Sequence, residues 1–200
     1  MLDRLQPESS QTEHLFVGTD RNKYFTVSWD DSIHQLRTEQ SYHDTTDKTL
    51  RDSETQDKCL IDPTRKYMAL QLYDGIVTVI PIHQRRSKKK PSVEPGTLGE
   101  PVPARIPELL IRSAAFVRFG DKDDDKPRLA LLYEDDHRKT CLTIRFLDYS
   151  PGGQGESGSA DLDNLDRTYD DLEQGASNLI PVPAPTCKLY FTQCIPWLCL

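Results

Sequence analysis

The side chains best placed to do chemistry are adjacent carboxylates in "LLYEDDHRKT", residues 131–140. Glu134, Asp135 and Asp136 supply the paired acid groups that general acid–base catalysis uses, one donating a proton while another accepts one. Acidic residues are also ordinary formers of solvated turns between strands. Because an apolar run lies on each side of these three residues, the sequence favours a hairpin turn.

A second candidate is Ser157 in "GESGS", residues 155–159, which is a loose relative of the nucleophile pattern G-x-S-x-G. The serine stands in a Gly/Ser-rich stretch with no strand pattern before it, whereas the nucleophile elbow follows a strand. The glycine-rich phosphate-binding patterns do not occur in the sequence. We therefore expect a chain that is not an enzyme, with no catalytic residue, no cofactor-binding residue and no cofactor.

Metal-ligand spacing is also missing. The run Asp123 to Asp125 lacks the alternating oxygen ligands and final glutamate of a calcium loop. The five cysteines form no C-x2-C pair, and their odd number favours a reducing compartment. The histidines show neither H-x3-H nor H-E-x-x-H spacing, so we expect no metal site among them: His14, His34, His43, His83 and His137.

The concentrated positive charge lies in "RRSKKK", residues 85–90. Three interpretations stay open: a solvated loop, a nuclear localisation signal, or direct contact with nucleic acid. The net charge of −7 argues against a general phosphate-binding surface but leaves room for a local one. The candidate nuclear localisation signal, which predicts a nuclear protein, consists of Arg85, Arg86, Lys88, Lys89 and Lys90.

Composition points to a soluble, loop-rich β protein. The chain has 14 prolines, 8% aromatic and 28% charged residues, and its helical periodicity is weak. It contains no apolar stretch long enough to span a membrane, and "MLDRLQPESS" lacks the pattern of a signal peptide. We expect a protein that is not secreted and has no membrane partner.

The elements that must position these residues are short antiparallel hairpins. In "YMALQLYDGIVTVIPI", residues 67–82, the pair Asp74-Gly75 predicts a two-residue type I′ turn. The simple register pairs Tyr73 with Ile76 and Leu70 with Val79. It places Met68, Leu70, Leu72, Val77 and Val79 on one face and Tyr67, Ala69, Tyr73, Ile76, Ile80 and Ile82 on the other. Both faces are apolar, so both need a covering layer.

Further strand patterns occur at 14–30, 33–42, 109–119 and 128–149. The turn centres recur at intervals of about 55 to 60 residues, which is typical of propeller blades lengthened by loops. Three low-complexity stretches lie between the patterns and predict mobile loops: a basic and proline-rich one at 83–107, an acidic one at 120–127, and a flexible acidic one at 150–175.

Three segments resemble the first β-propeller of the family that includes the UV-damaged DNA-binding protein large subunit, the cleavage and polyadenylation factor large subunit and splicing factor 3b subunit 3. They are "CLIDPTRKYMALQLYDGIVTVIPI" (59–82), "LALLYEDDHRKTCLTIRFLDYS" (129–150) and "EQGASNLIPVPAP" (173–185). The resemblance implies an all-β fold, a partial β-propeller of about three antiparallel blades with disordered charged loops, of a fungal type.

The resemblance also implies a domain plan: a disordered N-terminus at 1–10, a partial first propeller at 11–185, and an atypical tail at 186–200. An open arc would expose strand edges that invite aggregation. The implied function is a non-enzymatic scaffold of the cullin-4 ubiquitin ligase adaptor in UV-damage repair. Its partners would be other propeller domains and substrate receptors, with an indirect association with damaged DNA. The alternatives are a nucleic-acid-binding subunit in pre-mRNA processing and a nonfunctional truncated fragment.

Overall fold

The structure of the 200-residue chain is a computed structural model. It describes residues 2–5, 14–19, 23–43, 58–83, 97–119, 126–152, 157–181 and 189–192. In chain order its strands are β1 (Leu2–Leu5), β2 (His14–Gly18), β3 (Lys23–Asp30), β4 (Gln35–His43), β5 (Lys58–Ile61), β6 (Tyr67–Tyr73), β7 (Ile76–Pro81), β8 (Val102–Arg105), β9 (Ile111–Val117), β10 (Arg128–Glu134), β11 (Thr140–Phe146), β12 (Asp148–Ser150), β13 (Ser159–Asp161), β14 (Leu165–Leu172), β15 (Asn178–Pro181) and β16 (Leu189–Thr192).

These strands form three four-stranded antiparallel sheets, which we call the first, second and third blades. Their strand orders are β1-β2-β3-β4, β5-β6-β7-β8 and β9-β10-β11-β14. Two hairpins complete the described part: β12–β13, inserted between β11 and β14, and β15–β16, which follows the third blade. The arrangement confirms the predicted all-β class and partial propeller.

The apolar core is divided into three clusters, each lying between neighbouring sheets. Between the first and second blades, Phe16 and Tyr24 pack with Met68, Leu70 and Ile80. The two aromatic rings stack with their centroids 5.8 Å apart. A fully buried leucine, isoleucine or phenylalanine contributes about 1.5 to 3 kcal/mol, so this contact is a main source of stability for both sheets.

The second cluster lies on the opposite face of the second blade. Val77 and Val79 of β7 pack there with Phe116, Leu129 and Leu131 of the third blade. The third cluster repeats the arrangement one step further along the chain, where β15 covers the far face of the third blade. The central hairpin of the second blade is therefore covered on both faces, as its doubly apolar strands require.

The observed register corrects the predicted pairing of this hairpin. Tyr73 pairs with Ile76 as expected, but Leu70 pairs with Thr78, because a bulge interrupts the ladder between Leu70 and Tyr73. The bulge places one extra residue in β6. The pairs on the far side of the bulge from the turn are therefore shifted by one position, so the β6 side chains there lie on the opposite face of the sheet from the predicted one. Met68 and Leu70 consequently pack with Ile80 toward the first blade, and the prediction that they share a face with Val77 and Val79 is wrong.

Two of the predicted loops contain strands. Within 83–107, β8 alternates buried Val102 and Ala104 with exposed Pro103, and it pairs with β7 at the edge of the sheet. Proline has no backbone N–H to donate, so it is tolerated on an edge strand, where that position need not form a ladder hydrogen bond. Within 150–175, β13 and β14 form, and Leu162 between them is buried. The loop prediction is wrong for these residues.

The predicted termini also contain pairing strands. β1 lies inside 1–10 and pairs with β2, so the predicted disorder is wrong for Leu2–Leu5. β16 lies inside the tail at 186–200 and pairs with β15. Each of the three low-complexity stretches that were predicted as loops falls partly outside the described residues. The ranges concerned are 84–96, 120–125 and 153–156. The domain boundaries themselves stay predictions.

A buried arginine stabilises the edge of the third blade. Arg128 of β10 is 2% exposed, and its Nε lies 3.2 Å from Oδ2 of Asp166 on β14. Its guanidinium carbon also lies 4.9 Å from the ring centre of Phe146 and 5.3 Å from that of Phe119. Cation–π contacts and an ion pair together compensate for the cost of removing this charge from water.

A hydrogen-bonded contact joins the first blade to the connection between β7 and β8. The side-chain amide of Gln40 exchanges two hydrogen bonds with the backbone of Leu98, at 2.7 and 3.1 Å. The Tyr42 hydroxyl donates to the same Leu98 carbonyl at 2.7 Å. Burial raises the pKa of Tyr42 from its ordinary value of 10.0 to about 12.

This contact predicts a loss of stability at high pH. Because the folded state favours the neutral phenol, the contribution is complete below pH 10 and is lost as the pH rises from 10 toward about 12. The free energy of unfolding in urea, measured across this interval, should fall more steeply in the native chain than in Tyr42→Phe. Equal slopes in the two proteins would show that Tyr42 is not a source of the pH dependence.

Candidate protein-interaction site

The turns β6–β7 and β10–β11 each join the two central strands of a blade, so they lie at corresponding ends of neighbouring sheets. The connection from β8 to β9 passes between them. Together these segments border a cleft of about 600 Å³, which we call the inter-blade cleft. Its acidic lining residues are Asp74, Glu108, Glu134, Asp135 and Asp136, and the others are Pro107, Leu109, Leu110 and Tyr133.

The β6–β7 turn forms one wall of the cleft. Gly75 has φ +74°, a conformation that glycine adopts without strain, but Asp74 does not have a positive φ. The two-residue turn forms as predicted, whereas its predicted type I′ geometry, which needs positive φ at both residues, is wrong. The Gly75 carbonyl accepts a hydrogen bond from the Ile106 amide at 3.0 Å, which holds the β8–β9 connection beside the turn. A Cβ added at Gly75 would lie 3.5 Å from the Leu109 side chain, an ordinary contact distance.

The β10–β11 turn, residues 135–139, forms the opposite wall. It confirms the predicted turn at Asp135 and Asp136, whereas Glu134 is the last residue of β10. Asp135 Oδ1 accepts hydrogen bonds from the amides of His137 and Lys139, at 2.9 and 2.7 Å. Asp135 therefore has a structural role as a turn former. Asp136 is exposed at the tip, and Arg138 follows with φ +60°.

Glu134 and Glu108 each pair with an arginine. Glu134 forms an ion pair with Arg112 of β9. The Glu108 carboxylate accepts from Arg145 Nε at 2.8 Å, and in this pair the glutamate side chain is 4% exposed and the arginine 11%. Arg145 Nη1 also donates to the carbonyls of Leu162 and Asp163, at 3.1 and 3.2 Å. The floor of the cleft is thus joined to the β13–β14 connection.

The cleft combines acidic groups with an exposed apolar side chain. Five of its lining residues are carboxylates and none is Lys or Arg, and the arginines that pair with Glu108 and Glu134 lie outside the lining. Leu109 is 56% exposed beside them. Leu110 has φ +52°, a conformation that is costly for leucine and that often marks functional loops.

Tyr133 completes the wall, and its hydroxyl accepts a hydrogen bond from Thr143 at 3.5 Å. Burial is the main cause that raises the pKa of Tyr133, with the Thr143 hydrogen bond acting in the opposite direction. The phenol is therefore neutral at physiological pH. The lining contains no serine, cysteine, lysine or histidine that would act as a nucleophile or as its base.

The other candidates from the sequence do not join this site. Ser157 is exposed just before β13, in the β12–β13 hairpin. His14 is buried in β2, whereas His34, His43 and His137 are exposed and His83 is partly buried. Within the described ranges, no group of three or more His, Cys, Asp or Glu side chains is arranged to hold a metal. Residues 85–90 and 123–125 lie outside the described residues.

Sequence reasoning missed Glu108 and Leu109. The signal was present in "RIPELLIR", residues 105–112, where a proline and an acidic residue interrupt two apolar runs. We interpreted 109–119 as one apolar strand, although β9 begins at Ile111. The described residues form no helix that could span a membrane.

Comparison with known proteins accounts for the repeated blades. The profile of the RSE1/DDB1/CPSF1 first beta-propeller matches residues 1–194. The chain belongs to this family. The membership confirms the resemblance carried by residues 59–82, 129–150 and 173–185, and it supports a scaffold-like role for the propeller.

Several curated relatives of this first-propeller family are similar to the chain. DNA damage-binding protein 1 of Schizosaccharomyces pombe is 28% identical over 176 residues, which cover 88% of this chain and 15% of that protein. DNA damage-binding protein 1a of Arabidopsis thaliana is 29% identical over 191 residues, covering 93% of this chain and 15% of that protein. The chain spans about 15% of the length of these relatives.

The Gly75 turn offers a direct test of how the cleft wall is built. Gly75→Ala should lower the free energy of unfolding by about 1 to 2 kcal/mol, because a side chain is disfavoured in the left-handed region. Gly75→Asn should cost less, since asparagine tolerates that region. Urea unfolding of the two variants measures the difference. Equal losses would indicate that steric contact, and not backbone conformation, selects glycine here.

Proposed function

We propose that the chain is a non-enzymatic protein-interaction module of a propeller scaffold. In the full-length protein it would help to dock substrate receptors of a cullin-4 ubiquitin ligase in UV-damage repair, alongside other propeller domains. The observation that carries the proposal is the inter-blade cleft, whose acidic and apolar side chains stand on turns between rigid strands. Recognition loops on a rigid scaffold are a common arrangement for protein binding.

The relatives are named DNA damage-binding proteins. The charge of this chain indicates whether its own association with DNA would be direct or through a partner. The cleft is acidic, and the net charge is −7. Phosphate backbones bind to Lys and Arg, so the cleft would repel DNA. An association with damaged DNA through a partner protein fits this surface better than direct contact.

A second candidate function is that of a subunit in pre-mRNA processing. The observation that favours it is the family profile, which joins RSE1 and CPSF1 with DDB1 in one description. The two relatives described above are both named DNA damage-binding proteins, which favours the first proposal.

Affinity purification of the full-length protein from its own cells distinguishes these functions. We expect cullin-4 ligase subunits and substrate receptors to copurify, and Leu109→Ala or Asp136→Lys in the cleft to reduce recovery of a receptor. Leu36→Ala is the matched control, because Leu36 is 64% exposed in the first blade and lies outside the cleft.

Recovery of cleavage, polyadenylation or splicing subunits would support the second function instead. Recovery of neither set would contradict a scaffold role of either kind. A hydrolase activity of the purified chain that disappears in Ser157→Ala or Glu134→Gln would contradict the non-enzymatic assignment.

We also propose that Arg85, Arg86 and Lys88 to Lys90 act as a nuclear localisation signal. The support is the local density of positive charge in an otherwise acidic chain. A fluorescent reporter carrying residues 80–95 should accumulate in the nucleus. The matched reporter, with alanine at those five positions, should stay distributed through the cell. A cytoplasmic reporter, or equal nuclear entry of the two, would refute the signal.

A further inference from the structure

The inter-blade cleft has the charge of a site for a basic group. Its lining holds five carboxylates from three separate segments: the β6–β7 turn, the β8–β9 connection and the β10–β11 turn. Arg138 and Lys139 follow in the last turn, but neither lines the cleft. Like charges gathered from three segments repel one another, so a cation that enters the cleft gains attraction to all of them.

Glu108 supplies a second, independent observation. One oxygen of its carboxylate bonds to Arg145, whereas Oε2 is buried and has no hydrogen-bond partner among the described residues. A buried carboxylate oxygen without a donor is costly, and native proteins usually satisfy such atoms. Glu108 lines the cleft, so a donor bound there, or a water held by it, would approach this oxygen.

The apolar part of the cleft indicates what carries the cation. Leu109 is exposed directly beside Glu108, and Pro107 and Leu110 extend the apolar surface. A free metal ion or small amine would gain nothing from these side chains. A protein segment brings both a charged group and apolar neighbours, and aliphatic stems of Lys and Arg also pack on apolar surface.

We propose that the inter-blade cleft binds a basic side chain, arginine in particular, from an extended segment of a partner protein, with an adjacent apolar residue packed on Leu109. Arginine suits the site because its planar group presents several donors to carboxylates at once. The inference rests on the proposed interaction function and gives the chemistry of the partner. It does not depend on which complex the full-length protein joins.

A pair of short peptides tests the proposal on the 200-residue chain without any substitution. One is acetyl-Gly-Gly-Arg-Leu-Gly-Gly-amide, and the other carries citrulline, which has nearly the shape of arginine but no charge, in place of Arg. Titration is followed by amide shifts in two-dimensional ¹H–¹⁵N spectra. We expect the arginine peptide to shift residues 107–110 and 133–136, and the citrulline peptide to bind about fivefold more weakly, the upper end of the range for loss of an exposed ion pair.

Two variants and their matched controls then locate the contacts. Asp136→Asn should weaken the arginine peptide about two- to fivefold, the range of one exposed charge pair. Leu109→Ala should weaken both peptides alike. Asp31→Asn and Leu36→Ala replace exposed residues of the first blade and should leave binding unchanged. Added salt should weaken the arginine peptide more than the citrulline peptide.

Equal binding of the two peptides, shifts centred outside the cleft, or no shifts at millimolar peptide would each overturn the proposal. So would equal effects of Leu109→Ala and Leu36→Ala. The same spectra show whether each variant is folded, and the comparison of peptides on the native chain stands even if a variant is not. The scaffold function is tested separately by copurification, so it can hold when the arginine preference fails.

Discussion

The constraint on which the rest of the structure depends is that the central hairpins of the second and third blades are apolar on both faces. Such a hairpin is marginal alone, because ordering each residue costs about 1 to 2 kcal/mol of backbone entropy. Packing between two other sheets removes both faces from water. In the second blade this places Ile80 against the first blade and Val79 against the third. The sequential stacking of sheets follows from that requirement.

Stacking also determines where a site can form. Because the sheets meet face to face, the side chains along their central strands are used for packing, and exposed polar groups lie in the turns, the connections and edge strands such as β4 and β14. The inter-blade cleft lies where two such turns and one connection come together at the junction of the second and third blades. The acidic residues of the turns are solvated, so they cost the fold little.

Alternating apolar residues and the Asp74-Gly75 pair were sufficient to predict the hairpins, the all-β class and the turn that contains Asp135 and Asp136. They could not predict the bulge in β6, since the Gln71–Leu72 region reads as ordinary alternation and only the packing on both sides selects the extra residue. Nor could they predict β8, whose prolines and polar neighbours resemble a loop. Its buried Ala104 packs in a cluster with residues of the third blade, which lies later in the chain.

The floor of the cleft shows why a site of this kind escapes local pattern reading. Glu108 meets Arg145 across 37 positions of sequence, and Arg145 reaches onward to carbonyls near Leu162. Removing two charges from water is costly, and the several hydrogen bonds that the Arg145 guanidinium donates offset this cost. The pair holds Glu108 in place while its second oxygen has no donor among the described residues. A long-range ion pair thus fixes, in a residue that lines the inter-blade cleft, a carboxylate that still has an unsatisfied acceptor.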